Sequence, residues 1–180
     1  VRDCGHWNRV FDELAMLTGL DIRVQPYAFH LWDALAWNGI DKRRQTPAFK
    51  LAVYLRKTWL ELRRRSGNRL PLLPSQVLGL RNKIMLYETV ARQWGKQVVV
   101  DSSKNAREAV ELNRLMPGQV KVVLVTRDGR GVYLSRRIAN RNRRESLHGW
   151  INYYRRALPL LEKQIKPGDL LILRYEDLAN

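Results

Sequence analysis

The stretch VVLVTRDGRGVYLS, residues 122–135, decides the reading of this chain. It opens on a β-branched apolar run, which together with Lys121 predicts a strand over residues 121–126. The strand delivers Arg127 to its carboxyl end. Gly129 and Gly131 then permit a tight turn in which backbone N–H groups can face a ligand. A helix follows, and its N-terminal dipole end favours an anion. Ser135 lies about one helical turn inside, where its hydroxyl can return to the loop. Arg127 offers a bidentate fork and Ser135 one further hydrogen bond, which together make a phosphate clamp. No G-x-x-x-x-G-K-[ST] segment occurs in the chain, so this is not a Walker loop. The competing reading is a structural Arg127 paired with Asp128 at a helix start.

Strand and helix alternate on both sides of this stretch. Residues 97–100 form an apolar, β-branched run ending in Asp101-Ser102-Ser103-Lys104. Residues 106–115 read as a helix stopped by Pro117-Gly118. The helix after Gly131 should continue to about Ile165, with a break near Asn140. Pro167-Gly168 then turns the chain into residues 170–173, a third short strand ending in Arg174-Tyr175-Glu176-Asp177. Short continuous apolar strands separated by helices predict an α/β fold, a parallel sheet with helices on both faces. Ligands on such sheets bind outside the carboxyl ends of the strands. All three strands end in polar, charged sequence there.

Residues 1–75 read differently, as a helical and tryptophan-rich region. Trp7, Val10, Phe11, Leu14 and Leu17 recur at helical spacing, with Gly19 as the C-cap. Pro47 opens a helix with Leu51, Leu55, Trp59 and Leu62 on one face, ending near Ser66-Gly67. Pro71 and Pro74 mark a loop, and Ser75 can cap a helix running to Trp94. The expected organisation is one domain: an aromatic-rich insertion or lid over residues 1–75, then an α/β core over 76–180.

The composition limits the classes. The 180 residues carry 33 Lys+Arg against 17 Asp+Glu, a formal charge of +16, which favours anionic partners. From Arg127 to Arg156 there are nine arginines and two acids, a local net of +7, and five of those arginines fall between Arg136 and Arg144. A single cysteine, Cys4, excludes an internal disulfide framework and any multi-cysteine zinc site. His6, His30 and His148 are far apart, so no metal is expected. No apolar run reaches the roughly 18 residues needed to cross a bilayer. Without a visible signal peptide, the default compartment is reducing and cytoplasmic.

At these motifs the chain resembles the sulfotransferases that use 3′-phosphoadenosine 5′-phosphosulfate. Members of that family carry a strand, then an Arg, then a Ser eight residues later, the spacing of Arg127 and Ser135. Asp101-Ser102-Ser103-Lys104 looks like the D-S-S-K of the bacterial and carbohydrate-type members. Arg174-Tyr175-Glu176-Asp177-Leu178 looks like the family's R-Y-E-D-L. Asp3-Cys4-Gly5-His6-Trp7 is weakly similar to the cysteine–tryptophan stretch ahead of the family's helical insertion. The resemblance covers residue 76 to the end well and the first 75 residues loosely.

The resemblance implies a P-loop-like sulfotransferase fold and 3′-phosphoadenosine 5′-phosphosulfate as co-substrate. The family's N-terminal 5′-phosphosulfate loop has no counterpart here, nor does the segment that closes over the nucleotide. The expectation is therefore an interior piece of such an enzyme, truncated at both ends and inactive alone. By resemblance, Arg127 and Ser135 bind the 3′-phosphate and Tyr175 lies near the adenine. Arg130 either reaches the same phosphate or only shields it. Lys104 is the candidate for the sulfonate or leaving-group charge, because negative charge builds there during an in-line displacement. Asp101 is either a base or the group that orients Lys104. Ser102 and Ser103 read best as caps of the helix near Ala106, and Glu176 and Asp177 as caps of the next.

The acceptor is expected to be a hydroxyl or amine, of glycan or glycolipid type. The arginines between Arg136 and Arg144 can extend a positive field toward an anionic one. Tyr27, Phe29, Trp32 and Trp37 either line an acceptor pocket or pack as core, and His30 among them reads as structural. The alternative from a different class is a basic nucleic-acid-binding module without enzymatic activity, motivated by the charge. Zinc-finger spacing, an RNA-binding aromatic signature and a helix-turn-helix are all missing, so no specific nucleic acid is expected.

Overall fold

A computed structural model of the chain describes residues 4–29, 31, 46–67, 70–103, 105–138 and 143–178. It divides into two compact units, Val1–Ser102 and Ser103–Asn180.

The first unit is helical. Helix α1 (Gly5–Thr18) buries Val10 and Leu14, one turn apart, and ends at Gly19, whose φ of 68° is the left-handed C-cap its position predicts. The Gly19 N–H donates to the Ala15 carbonyl at 2.9 Å. A single 3₁₀ turn (Pro26–Phe29) buries Phe29. Helix α2 (Pro47–Arg65) begins at the predicted proline, yet Leu51, Leu55 and Leu62 on its apolar face remain exposed.

Helix α3 (Pro74–Gln93) starts at Pro74, so Ser75 is inside it rather than capping it. The Gln76 side-chain oxygen takes the cap role, accepting the Leu73 N–H at 3.0 Å. Buried Asn82 ties α3 to the 3₁₀ turn by donating to the Ala28 carbonyl at 2.9 Å. At the far end of α3, Arg92 and Gln93 both bond the Glu13 carboxylate on α1.

Residues 97–100 are not a strand. They have the β-branched composition of one, but a strand exists only where a ladder partner takes its backbone groups. Among the described residues β1 (Val122–Thr126) pairs with β2 (Leu170–Arg174), and Val98 and Val100 lie exposed.

The second unit is the α/β part. Helix α4 (Ala106–Leu115) has the bounds its pattern predicts. Its cap is Asn105, whose side-chain oxygen accepts the Glu108 N–H at 3.3 Å, and not Ser102 or Ser103. After β1 come α5 (Gly129–Ile138), α6 (Arg143–Gln164), a 3₁₀ turn (Pro167–Asp169), β2 and a last turn, α7 (Tyr175–Leu178). The strands are parallel, in a register running from Val122 opposite Leu170 to Thr126 opposite Arg174.

Val110 of α4, Leu124 of β1, and Leu161 and Ile165 of α6 form the core of this unit. Tyr153 and Tyr154 pack against it, and His148 is exposed. Side chains alternate along a strand, so the neighbours of buried Leu124 point the other way. Val123 is 55% exposed and Leu171 opposite it 51%. The chain is thus mixed α/β and mostly helical. Among the described residues, Leu124 on one side of the two-stranded parallel sheet packs into the core, and Val123 and Leu171 on the other side stay exposed. No helix among the described residues is long and apolar enough to cross a membrane.

Candidate functional site at the carboxyl end of the sheet

Thr126 and Arg174 are register partners, so Arg127 and Tyr175 leave the ladder side by side. The Arg127 guanidinium carbon lies 4.7 Å from the centroid of the Tyr175 ring. This is within the reach of a cation–π contact. The same side chain runs close along the first turn of α5. A Cβ placed on Gly131 would stand 3.0 Å from Arg127 Nε and 3.5 Å from Cζ. Gly131 thus makes room for the arginine. Among the described residues the guanidinium has no hydrogen-bond or ion-pair partner.

Ser135 is the seventh residue of α5, deeper than the single turn its sequence position suggests. It is exposed and follows Gly131 by four residues. Residues four apart share a helix face, and their side chains tilt toward the N-terminus. Ser135 therefore lies on the face along which Arg127 runs.

The cation paired with Asp128 is Arg130, not Arg127. The Asp128 carboxylate accepts the Arg130 backbone N–H at 2.8 Å and its Nε at 2.7 Å. The Asp128 carbonyl accepts the Val132 N–H at 3.1 Å. Asp128 is thereby the N-cap of α5. The Arg130 hydrogen bonds hold the Asp128 carboxyl below the usual carboxylate range and raise the Arg130 guanidinium in turn. The Arg130 side chain is 90% exposed, and an anion would have to compete with Asp128 for it.

Glu176 on α7 closes the other side of the loop by accepting the Asp128 backbone N–H at 2.9 Å. That bond holds the Glu176 carboxyl low. Two of the loop N–H groups expected to face a ligand, those of Asp128 and Arg130, are thus taken by carboxylates.

Asp101 belongs to the first unit, and its partners come from α3. Lys83 Nζ lies 3.0 Å from its carboxylate, and the Tyr87 hydroxyl donates to the same oxygen. The Lys83 side chain is only 4% exposed, so Asp101 is the counter-ion of a buried lysine. Lys104 lies outside the described residues, as do His30, Trp32 and Trp37. The side chains of Tyr27 and of the arginines between Arg136 and Arg144 also lie outside the description.

The sequence reading missed the contacts that Lys83 and Tyr87 make with Asp101, and the contact of Glu176 with Asp128. Lys83 and Tyr87 carry one usable signal, their spacing of four on one helix. The Glu176 contact spans 48 residues and has no local signal. Comparison with family models, curated proteins and solved structures finds no match to this chain.

Proposed function

We propose that this chain binds the 3′-phosphate of 3′-phosphoadenosine 5′-phosphosulfate and belongs with the sulfotransferases that use it. In this reading the sulfonate goes to a hydroxyl or amine acceptor, of glycan or glycolipid class. One observation carries the reading. The Arg127 guanidinium, unpaired among the described residues, lies where a parallel strand meets the N-terminus of α5, with Ser135 on the same helix face. A bidentate cation with a hydroxyl beside it suits a phosphate dianion. The +16 charge favours an anionic nucleotide in general terms.

The reading extends to a parallel sheet of the P-loop-like type, to which β1 and β2 would belong. Transfer is an in-line displacement at sulfur. The acceptor oxygen or nitrogen forms the new bond to sulfur, its proton passes to a base, the bond from sulfur to the 5′-phosphate oxygen breaks, and adenosine 3′,5′-bisphosphate leaves. Lys104 is proposed to meet the charge that builds on the leaving oxygens. Asp101, already engaged by Lys83 and Tyr87, suits an anchoring role better than that of a base.

The test is calorimetry with adenosine 3′,5′-bisphosphate and with AMP, which lacks the 3′-phosphate. Arg127→Ala should weaken the bisphosphate by about 1.5–3 kcal/mol, the range for a lost charged hydrogen bond, and leave AMP nearly unchanged. Ser135→Ala should show the same pattern with a smaller loss. Equal losses for both nucleotides would remove the assignment. Salt-steep binding to any polyanion, with no nucleotide preference, would favour the nucleic-acid-binding alternative.

A further inference from the structure

We propose that Tyr175 is a positioning residue for Arg127: its ring sets the plane of the guanidinium, and its effect on a nucleotide passes through that arginine rather than through contact with the adenine. The proposal rests on the nucleotide reading above for its binding readout. Its structural part stands without that reading.

Three observations carry it. First, the parallel register brings the two residues together by construction, since Thr126 and Arg174 are partners and each is followed by one of the pair. Second, the contact is made, at 4.7 Å from guanidinium carbon to ring centroid. Third, the surroundings hold both residues in place. Gly131 admits the arginine to the first turn of α5, where any Cβ would stand 3.0 Å from Nε. Glu176, next to Tyr175, accepts the N–H of Asp128, next to Arg127. The strand ends are thus linked twice, by a ring against a guanidinium and by a carboxylate on an amide.

A guanidinium at a strand end has several rotatable bonds, and a free one would lose rotamer entropy on meeting a phosphate. Stacking on an aromatic face removes part of that loss before the ligand arrives, while the in-plane N–H groups stay open to it. A ring face occupied by Arg127 is also not offered to an adenine.

The experiment measures binding of adenosine 3′,5′-bisphosphate and of AMP to the full 180-residue chain by calorimetry, with urea midpoints of every variant alongside. Tyr175→Ala should weaken the bisphosphate by about two- to thirty-fold, the span of a cation–π contact, and leave AMP unchanged. Tyr175→Phe keeps the ring and should stay within about twofold of wild type. Tyr175→Leu keeps apolar bulk without a π-face and should behave like Tyr175→Ala, which separates positioning from simple packing. The double variant with Arg127→Ala should bind no more weakly than Arg127→Ala alone.

A loss shared equally by both nucleotides and additive with Arg127→Ala would overturn the proposal, because it would place the ring on the adenine. If wild type shows no preference for the 3′-phosphorylated nucleotide, the nucleotide reading fails separately. The urea double-mutant cycle then decides: coupling between Arg127 and Tyr175 supports the positioning contact, and strict additivity removes it.

Discussion

Glu176 accepts the backbone N–H of Asp128 at 2.9 Å, across 48 residues of chain. The bond joins the end of β2 to the cap of α5. It gives a short acidic segment a structural role that no local pattern announces.

The bond also makes stability depend on pH in a predictable direction. The Asp128 N–H holds the folded Glu176 carboxyl below its unfolded value. Its contribution is therefore complete above the unfolded value, in the ordinary glutamate range near pH 4, and is lost as pH falls through the lowered folded value. Glu176→Gln should lower the urea midpoint at pH 7, and the difference from wild type should shrink toward zero on acidification below pH 4. A constant difference from pH 7 down to pH 3 would show that the carboxylate charge does not matter there.

Gly131→Ala separates stability from binding. Alanine in place of glycine in a helix stabilises by about 1 kcal/mol through backbone entropy. The new Cβ also meets Arg127 Nε at 3.0 Å and must displace it. The expected variant is as stable as wild type or more so, with weaker adenosine 3′,5′-bisphosphate binding. Undiminished binding, measured by calorimetry, would mean that the position of Arg127 along α5 is irrelevant to the ligand.

Gly129→Ala, two residues earlier, should do the reverse to stability. Its Cβ would stand 3.2 Å from Trp150 Cζ3 and 3.6 Å from Leu147 Cδ1 on α6. Overpacking of this kind costs about 1–3 kcal/mol and outweighs the gain in helix propensity. Urea denaturation should rank the proteins Gly131→Ala, wild type, Gly129→Ala from most to least stable. Equal midpoints for the two variants would contradict the close approach of α5 to α6.

Asp101→Asn tests the buried lysine. Removing the carboxylate charge takes away the ion pair that Lys83 makes with Asp101 at 3.0 Å, which should lower the denaturation midpoint. The double variant Lys83→Met, Asp101→Asn should recover part of that loss, because the buried ammonium is then removed as well. Chemical denaturation of the three proteins is the check, and an unchanged midpoint for Asp101→Asn would rule out the counter-ion role.

What the sequence determined by itself was local. The spacing of Val10 and Leu14 and the glycine at 19 specify α1 and its end, because helix periodicity and a left-handed cap are properties of a few adjacent residues. Residues 106–115 carry their helix in the same way, and the two β-branched runs around Leu124 and Ile172 carry strands. The position of Arg127 at a strand end, ahead of a helix, was legible for the same reason.

The tertiary structure decided which groups meet. Residues 97–100 resemble the other two runs in composition and form no strand, because a ladder needs a second backbone and, among the described residues, β1 pairs with β2. Asp128 had two arginines within reach and took Arg130, since the N-cap geometry aims its carboxylate at the residue two ahead. Arg127 turned instead to Tyr175, brought beside it by the parallel register. Asp101 found Lys83 and Tyr87 on α3. Each of these choices depends on distances between segments far apart in the chain, which residue spacing does not encode and packing does.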